Sequence, residues 1–154
     1  MFDDDDEFDD DDFDEEDLPE GESSEPEEKL PVFKKAMQIG ELTRVIVETF
    51  DKEKDIFNMY EQMLTNAYIL GAKISGAEAA DLYSIRMDNA TLIKIHAREL
   101  LAQTSLCKSE NLCDNEYLDM LRKEIEDFRV MFIEWVKTFD RTNDIKDEWD
   151  ILDL

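Results

Sequence analysis

The sequence predicts an all-α protein, an up-down four-helix bundle preceded by a disordered acidic tail. Few strand or turn signals are present, since the 154 residues include only four Gly and three Pro. Apolar residues recur three or four positions apart through most of residues 31–139, which is the helical period. Residues 1–28 differ sharply, with 18 acidic side chains and no basic one. Such a segment cannot bury enough apolar surface to offset the entropy of ordering.

The first two helices follow from this period and from the residues at their ends. Pro31 suits the first position of a helix, and the apolar pattern extends from there to about Phe50. Residues 51–55 are all charged and form a polar connection. A second helix is expected from about Asp55 to Ile74.

The boundary between the second and third helices is weakly marked. Ser75-Gly76 is the expected break, and a third helix is expected from about Ala77 to Leu106. A single long helix that bends at Ser75-Gly76 remains open, which would make three helices in all. The small residues around this point would let two backbones approach closely.

The last helix is expected from Asp114 or Asn115, good N-cap residues, to about Phe139. A polar loop over 107–113 precedes it. Short connections between amphipathic helices favour antiparallel neighbours, hence an up-down bundle over residues 29–142. Residues 143–154 contain apolar side chains, including Trp149 and Ile151. We expect them to pack on the bundle, and a docking peptide for a partner is the alternative.

The net charge of −25 excludes some partners and favours others. Residues 1–28 contribute −18, so residues 29–154, with 24 acids and 17 bases, contribute −7. This charge repels nucleic-acid phosphates and anionic membranes, so we expect direct binding to neither, and it attracts basic surfaces. The N-terminus lacks the basic and apolar regions of a signal peptide, and a cytoplasmic location is expected.

The acidic tail contains the candidate partner-binding residues. Three aromatic rings, Phe2, Phe8 and Phe13, lie among carboxylates such as Asp10 and Asp11. Charge attraction would bring a basic protein surface close, and the rings would then enter its apolar pockets. A segment that serves only to keep the bundle from associating is the competing interpretation.

Metal, cofactor and nucleophile patterns are weak in the rest of the chain. His96, Cys107 and Cys113 are three potential ligands, but their spacing is unlike that of structural zinc sites, and we expect no metal or cofactor. His96 follows Asn89 by one heptad on the predicted core face, so the two are candidates for a buried polar layer that fixes helix register.

Part of the chain resembles a group of small helical-bundle proteins of uncharacterised function. The similarity lies in the segments AKI-x-GAEA, DLY-x-x-RM and NATLI-x-x-x-AREL between Ile69 and Leu101, with FIEWVKTFD later. The resemblance implies a helical fold over most of residues 31–150. It implies no activity and no functional residues, and the acidic tail is not part of it.

Three functions follow as hypotheses. The first is a non-enzymatic interaction protein that binds a basic macromolecule through its acidic tail. The second is a ligand-binding or catalytic bundle centred on His96, with Asn89 and Glu78 nearby. The third is a self-associating structural subunit, a homo-oligomer formed through the small-residue stretch and the aromatic last helix.

Overall fold

The computed structural model describes residues 30–149 and 151, which form four α-helices. They are α1 (Pro31–Val47), α2 (Met59–Glu78), α3 (Tyr83–Ser109) and α4 (Asn115–Val136). Each helix packs against two others, so that α1 contacts α2 and α4, and α3 contacts α2 and α4. The predicted all-α four-helix bundle is confirmed. The tail predicted over 1–28 lies outside the described residues.

The core forms along the predicted apolar stripes. Fully buried side chains come from all four helices, among them Ile39, Met63, Leu70, Leu100 and Phe128. Burying each of these side chains stabilises the fold by about 1.5–3 kcal/mol relative to exposure. In the described part of the chain, no helix combines the length and apolar character needed to cross a membrane.

The connection between α1 and α2 is longer than the sequence predicts. α1 ends at Val47 rather than Phe50, because the chain tightens into a turn that buries Phe50. α2 begins at Met59 rather than Asp55. The Asp55 carboxylate accepts hydrogen bonds from the backbone N–H groups of Met59 and Tyr60, at 2.6 and 3.0 Å, and so caps the helix from outside it.

The predicted break at Ser75-Gly76 is wrong, and α2 continues through it to Glu78. Helices α2 and α3 are nevertheless separate, joined by residues 79–82. Glycine within a helix costs about 1 kcal/mol relative to alanine. Close helix packing explains its presence here, since a Cβ on Gly76 would lie 3.0 Å from Oδ1 of Asn89 on α3.

Residues 143 and 144 fold back onto the start of α3. The Tyr83 N–H donates to the Asn143 carbonyl at 2.8 Å, and the Ser84 N–H and hydroxyl both donate to Oδ1 of Asp144. These contacts satisfy N–H groups that a helix start leaves unpaired. The apolar packing expected for this segment is absent at the described positions, because Trp149 and Ile151 are 88% and 72% exposed.

Candidate functional site

His96 belongs to a polar network that links α2 and α3. Its Nδ1 lies 2.7 Å from Oδ1 of Asn66, and Nδ2 of Asn66 donates to Oε1 of Gln103 at 3.0 Å. Asn66 and Gln103 are buried, while His96 is half-buried. The Asn66 side-chain amide therefore bridges the two other side chains, with its oxygen at His96 and its nitrogen at Gln103.

Asn89, the other candidate for a buried polar layer, takes no part in this network. Asn89 is half-buried, donates through Nδ2 to the Ile85 carbonyl of its own helix, and rests against Gly76. The polar layer consists instead of His96, Asn66 and Gln103. Asn66 and Gln103 were not predicted from the sequence, although helical spacing indicated Gln103, which follows His96 by one heptad as His96 follows Asn89.

A second cluster joins the end of α2, the start of α3 and the end of α4. Oε1 of Glu78 accepts hydrogen bonds from Arg86 at 2.6 Å and from the Trp135 indole N–H at 2.8 Å. The Arg86 guanidinium lies 4.2 Å from the centroid of the Phe139 ring, a cation–π geometry. Trp135 and Phe139 in turn pack edge to face at 4.8 Å.

This arrangement makes Glu78 a structural acceptor. One of its oxygens accepts hydrogen bonds from both the Arg86 guanidinium and the Trp135 indole. The guanidinium balances the charge of the carboxylate, and the two bonds hold it in place. A general base needs a free carboxylate within reach of a substrate proton. The geometry therefore favours a clamp between three helices over acid–base catalysis at this position.

The two cysteines are free thiols with little nucleophilic character. Burial raises the pKa of Cys107 to about 12, and its Sγ contacts Sδ of Met63 at 3.4 Å. Burial also raises the pKa of Cys113. Both thiols stay protonated at neutral pH, and the thiolate is the reactive form. Among the described residues, no group of three or more His, Cys, Asp or Glu side chains is placed to hold a metal ion.

An apolar groove lies between α3 and α4. The interface between these two helices is the smallest of the four helix–helix interfaces. Its volume is about 270 Å³. Phe128 and Phe132, stacked with ring centroids 6.0 Å apart, form part of its wall. Three cationic side chains, Lys94, Arg98 and Arg129, also line it.

Within the described residues, most of the cationic side chains near this groove lack a carboxylate partner, which is unusual in an acidic protein. Arg129 pairs with Glu126 at 2.8 Å, but Lys94, Arg98 and Arg122 have no carboxylate partner among residues 30–149 and 151. Arg122 instead donates to Oγ1 of Thr104 at 2.7 Å and to neighbouring oxygens on α3. This cluster could not be predicted from the sequence, because its members are far apart in the chain and meet only when α3 packs on α4.

A solved structure shares this fold. It is the crystal structure of a protein with unknown function from the S23 ribosomal protein family of Bacteroides thetaiotaomicron. The TM-score is 0.60 at 19% sequence identity, over 70% of this chain and 96% of the other. No family model and no curated protein matches the sequence.

The comparison confirms the resemblance to small helical-bundle proteins of uncharacterised function. At this level of identity the likeness concerns the fold alone. The candidate partner-binding residues Phe2, Phe8, Phe13, Asp10 and Asp11 lie outside the described residues, so their role stays a prediction.

Proposed function

We propose that this protein is a non-enzymatic binding protein whose acidic N-terminal segment captures a basic protein surface. The observation that carries the proposal is the concentration of 18 acidic residues, with Phe2, Phe8 and Phe13 among them, in the first 28 positions. Complementary charge accelerates encounter and selects basic partners, and aromatic rings supply apolar contact area.

The chemistry of the bundle supports this proposal over an enzymatic one. His96 is bonded to Asn66, Glu78 is occupied by Arg86 and Trp135, and the Cys107 thiol is buried. Each of these reactive groups thus has a role in holding helices together. A cytoplasmic location belongs to the proposal, because unpaired cysteines are typical of a reducing compartment.

Affinity capture from the native lysate tests the proposal with three forms of the protein. They are the full chain, a full-length variant with Asn at positions 3–6 and 9–12, and a full-length variant with Phe2, Phe8 and Phe13 changed to Ala. We expect a basic protein to be captured by the full chain and lost with either variant. The first change removes charge and keeps the rings, while the second does the reverse.

Binding of the purified partner should also weaken steeply with salt, because the screening length falls from about 10 Å at 0.1 M to about 3 Å at 1 M. A partner that all three forms retain with equal affinity would place binding on the bundle surface and refute the role of the tail. Affinity that is unchanged between low and high salt would refute the electrostatic mechanism.

A further inference from the structure

The groove between α3 and α4 has the shape and chemistry of a site for an aromatic side chain flanked by acids. Its apolar lining includes Ala97, Leu101 and the stacked pair Phe128 and Phe132. A cavity of about 150 Å³ lined by apolar side chains is enough to bind benzene. The groove, at about 270 Å³, can therefore accept a phenyl ring.

The cationic side chains that lack a carboxylate partner among the described residues favour an occupant of the groove that carries negative charge. Lys94 and Arg98 are one helical turn apart on α3 and exposed, and both line the groove. Residues 29–154 have seven more acids than bases, yet these two side chains have no carboxylate partner in the described part of the chain. An acidic occupant would supply those partners, and an Arg beside an aromatic ring also gains cation–π attraction.

We propose that the groove between α3 and α4 docks the acidic, Phe-bearing segment of the same chain, residues 2–17. One of Phe2, Phe8 or Phe13 enters the apolar groove, and the adjacent carboxylates contact Lys94 and Arg98. The segment matches both features of the groove, because every one of the three rings has acidic neighbours. This inference does not depend on capture of an external partner, since it concerns the protein alone in solution.

The path of the chain makes an intramolecular contact feasible. Leu30 and Pro31 line a cleft with Val130 and Trp135, so the N-terminal end of the described chain lies against the C-terminal half of α4. The docking groove involves the same part of α4, through Phe132 and Ile133. A helix is about 10–12 Å across. The 17 residues from Phe13 to Leu30 can span up to about 56 Å, which is ample.

Zero-length carbodiimide crosslinking of the full chain tests the proposal, because it joins carboxylates to lysine amines that are in contact. We expect links from residues 3–17 to Lys94 to exceed links to the exposed Lys52 by about tenfold, equivalent to about 1.4 kcal/mol of preference. Lys34 is the proximity control. It is exposed and much closer to the segment along the sequence, so tethering alone would favour Lys34 over Lys94.

Two pairs of substitutions separate docking from general attraction. Arg98→Glu and Ile133→Asp alter the charge and the apolar wall of the groove, and we expect each to reduce the Lys94 links to the level of Lys52. The matched controls Lys54→Glu and Ile56→Asp change exposed positions in the connection between α1 and α2 and should leave the Lys94 links intact. Circular dichroism of each variant verifies that the bundle stays helical.

A mixture of nitrogen-15 and unlabelled chains identifies the occupant. Links to Lys94 within one isotopic chain support the proposal, whereas links between isotopically different chains would overturn it in favour of a second copy. Equal yields at Lys94, Lys34 and Lys52, or the absence of links from residues 3–17, would also overturn it. The outcome of crosslinking is independent of the outcome of affinity capture, because the capture experiment detects only a separate protein bound to this chain.

Discussion

Substitution of Glu78 by Ala should destabilise the bundle far more than loss of an ordinary surface carboxylate. Two donors lose their acceptor in this variant, the Arg86 guanidinium and the Trp135 indole. An unsatisfied donor costs about 1–3 kcal/mol, and breaking a fully buried ion pair costs about 3–5 kcal/mol. The side chains of Glu78 and Arg86 are 24% and 20% exposed, so water recovers part of that loss. We expect a net decrease of about 3 kcal/mol in the free energy of unfolding.

Urea unfolding followed by far-UV circular dichroism measures this decrease. An unchanged m-value would show that the variant differs in stability and not in the surface that unfolding exposes. The matched control is Glu134→Ala on α4, whose carboxylate pairs with Lys137 at the surface, where the two side chains are 66% and 65% exposed. Its effect should stay within about 0.5 kcal/mol. A double-mutant cycle with Trp135→Phe should give a coupling energy of about 1 kcal/mol between positions 78 and 135. Equal effects of the two Glu→Ala changes, with zero coupling, would refute the clamp.

Three further predictions concern the polar network, the buried thiol and the cap of α3. Asn66→Ala should lower stability by about 2 kcal/mol by removing the partner of two side chains, while the exposed Gln62→Ala should change it little; thermal unfolding of both variants checks this. The raised pKa of Cys107 means that the unfolded chain loses this proton first, so stability should fall as pH rises from about 9 towards 12. Cys107→Ala should remove that part of the slope, and an identical slope in the variant would contradict the assignment. Hydrogen bonds from Ser84 lower the pKa of Asp144, so its capping contribution is present near neutral pH and lost as pH falls through the folded-state pKa. Asp144→Ala should speed amide exchange at the start of α3, and unchanged exchange at Ser84 would show that the cap contributes nothing.

The helices were predictable because their apolar period is regular, and their ends were less so because tertiary contacts decide them. Pro31 marked the start of α1 correctly. The start of α2 was placed four residues early because Asp55 caps the helix from outside it, through bonds that need the chain to turn back. Gly76 was misread as a break, since sequence alone does not show that Asn89 of another helix occupies the space where a Cβ would stand.

The site was less predictable than the fold, for a related reason. His96 was found from its heptad position, but its partner Asn66 lies on a different helix, and pairing depends on how α2 and α3 are set against each other. Glu78 was named as a candidate near His96, but its two donors were not predicted. Arg86 lies beyond the end of α2, and Trp135 is 57 residues from Glu78 along the chain.

The two proposals assign one segment to two sites, and this has a consequence for affinity. A tethered segment has an effective concentration near its own groove in the millimolar range, so even a weak contact keeps it docked part of the time. An external basic partner binds only the undocked fraction, and its apparent affinity falls by that fraction. Arg98→Glu should therefore strengthen capture of the partner, by about twofold if the groove is half occupied. Replacement of a cation by Glu would also raise the affinity for a basic protein through net charge alone. The comparison is therefore with Lys54→Glu, which makes the same charge change in the connection between α1 and α2, away from the groove. An equal increase in affinity for the partner in both variants would mean that net charge alone explains the effect. A larger increase in Arg98→Glu would show that the groove controls how much of the tail is available to the partner.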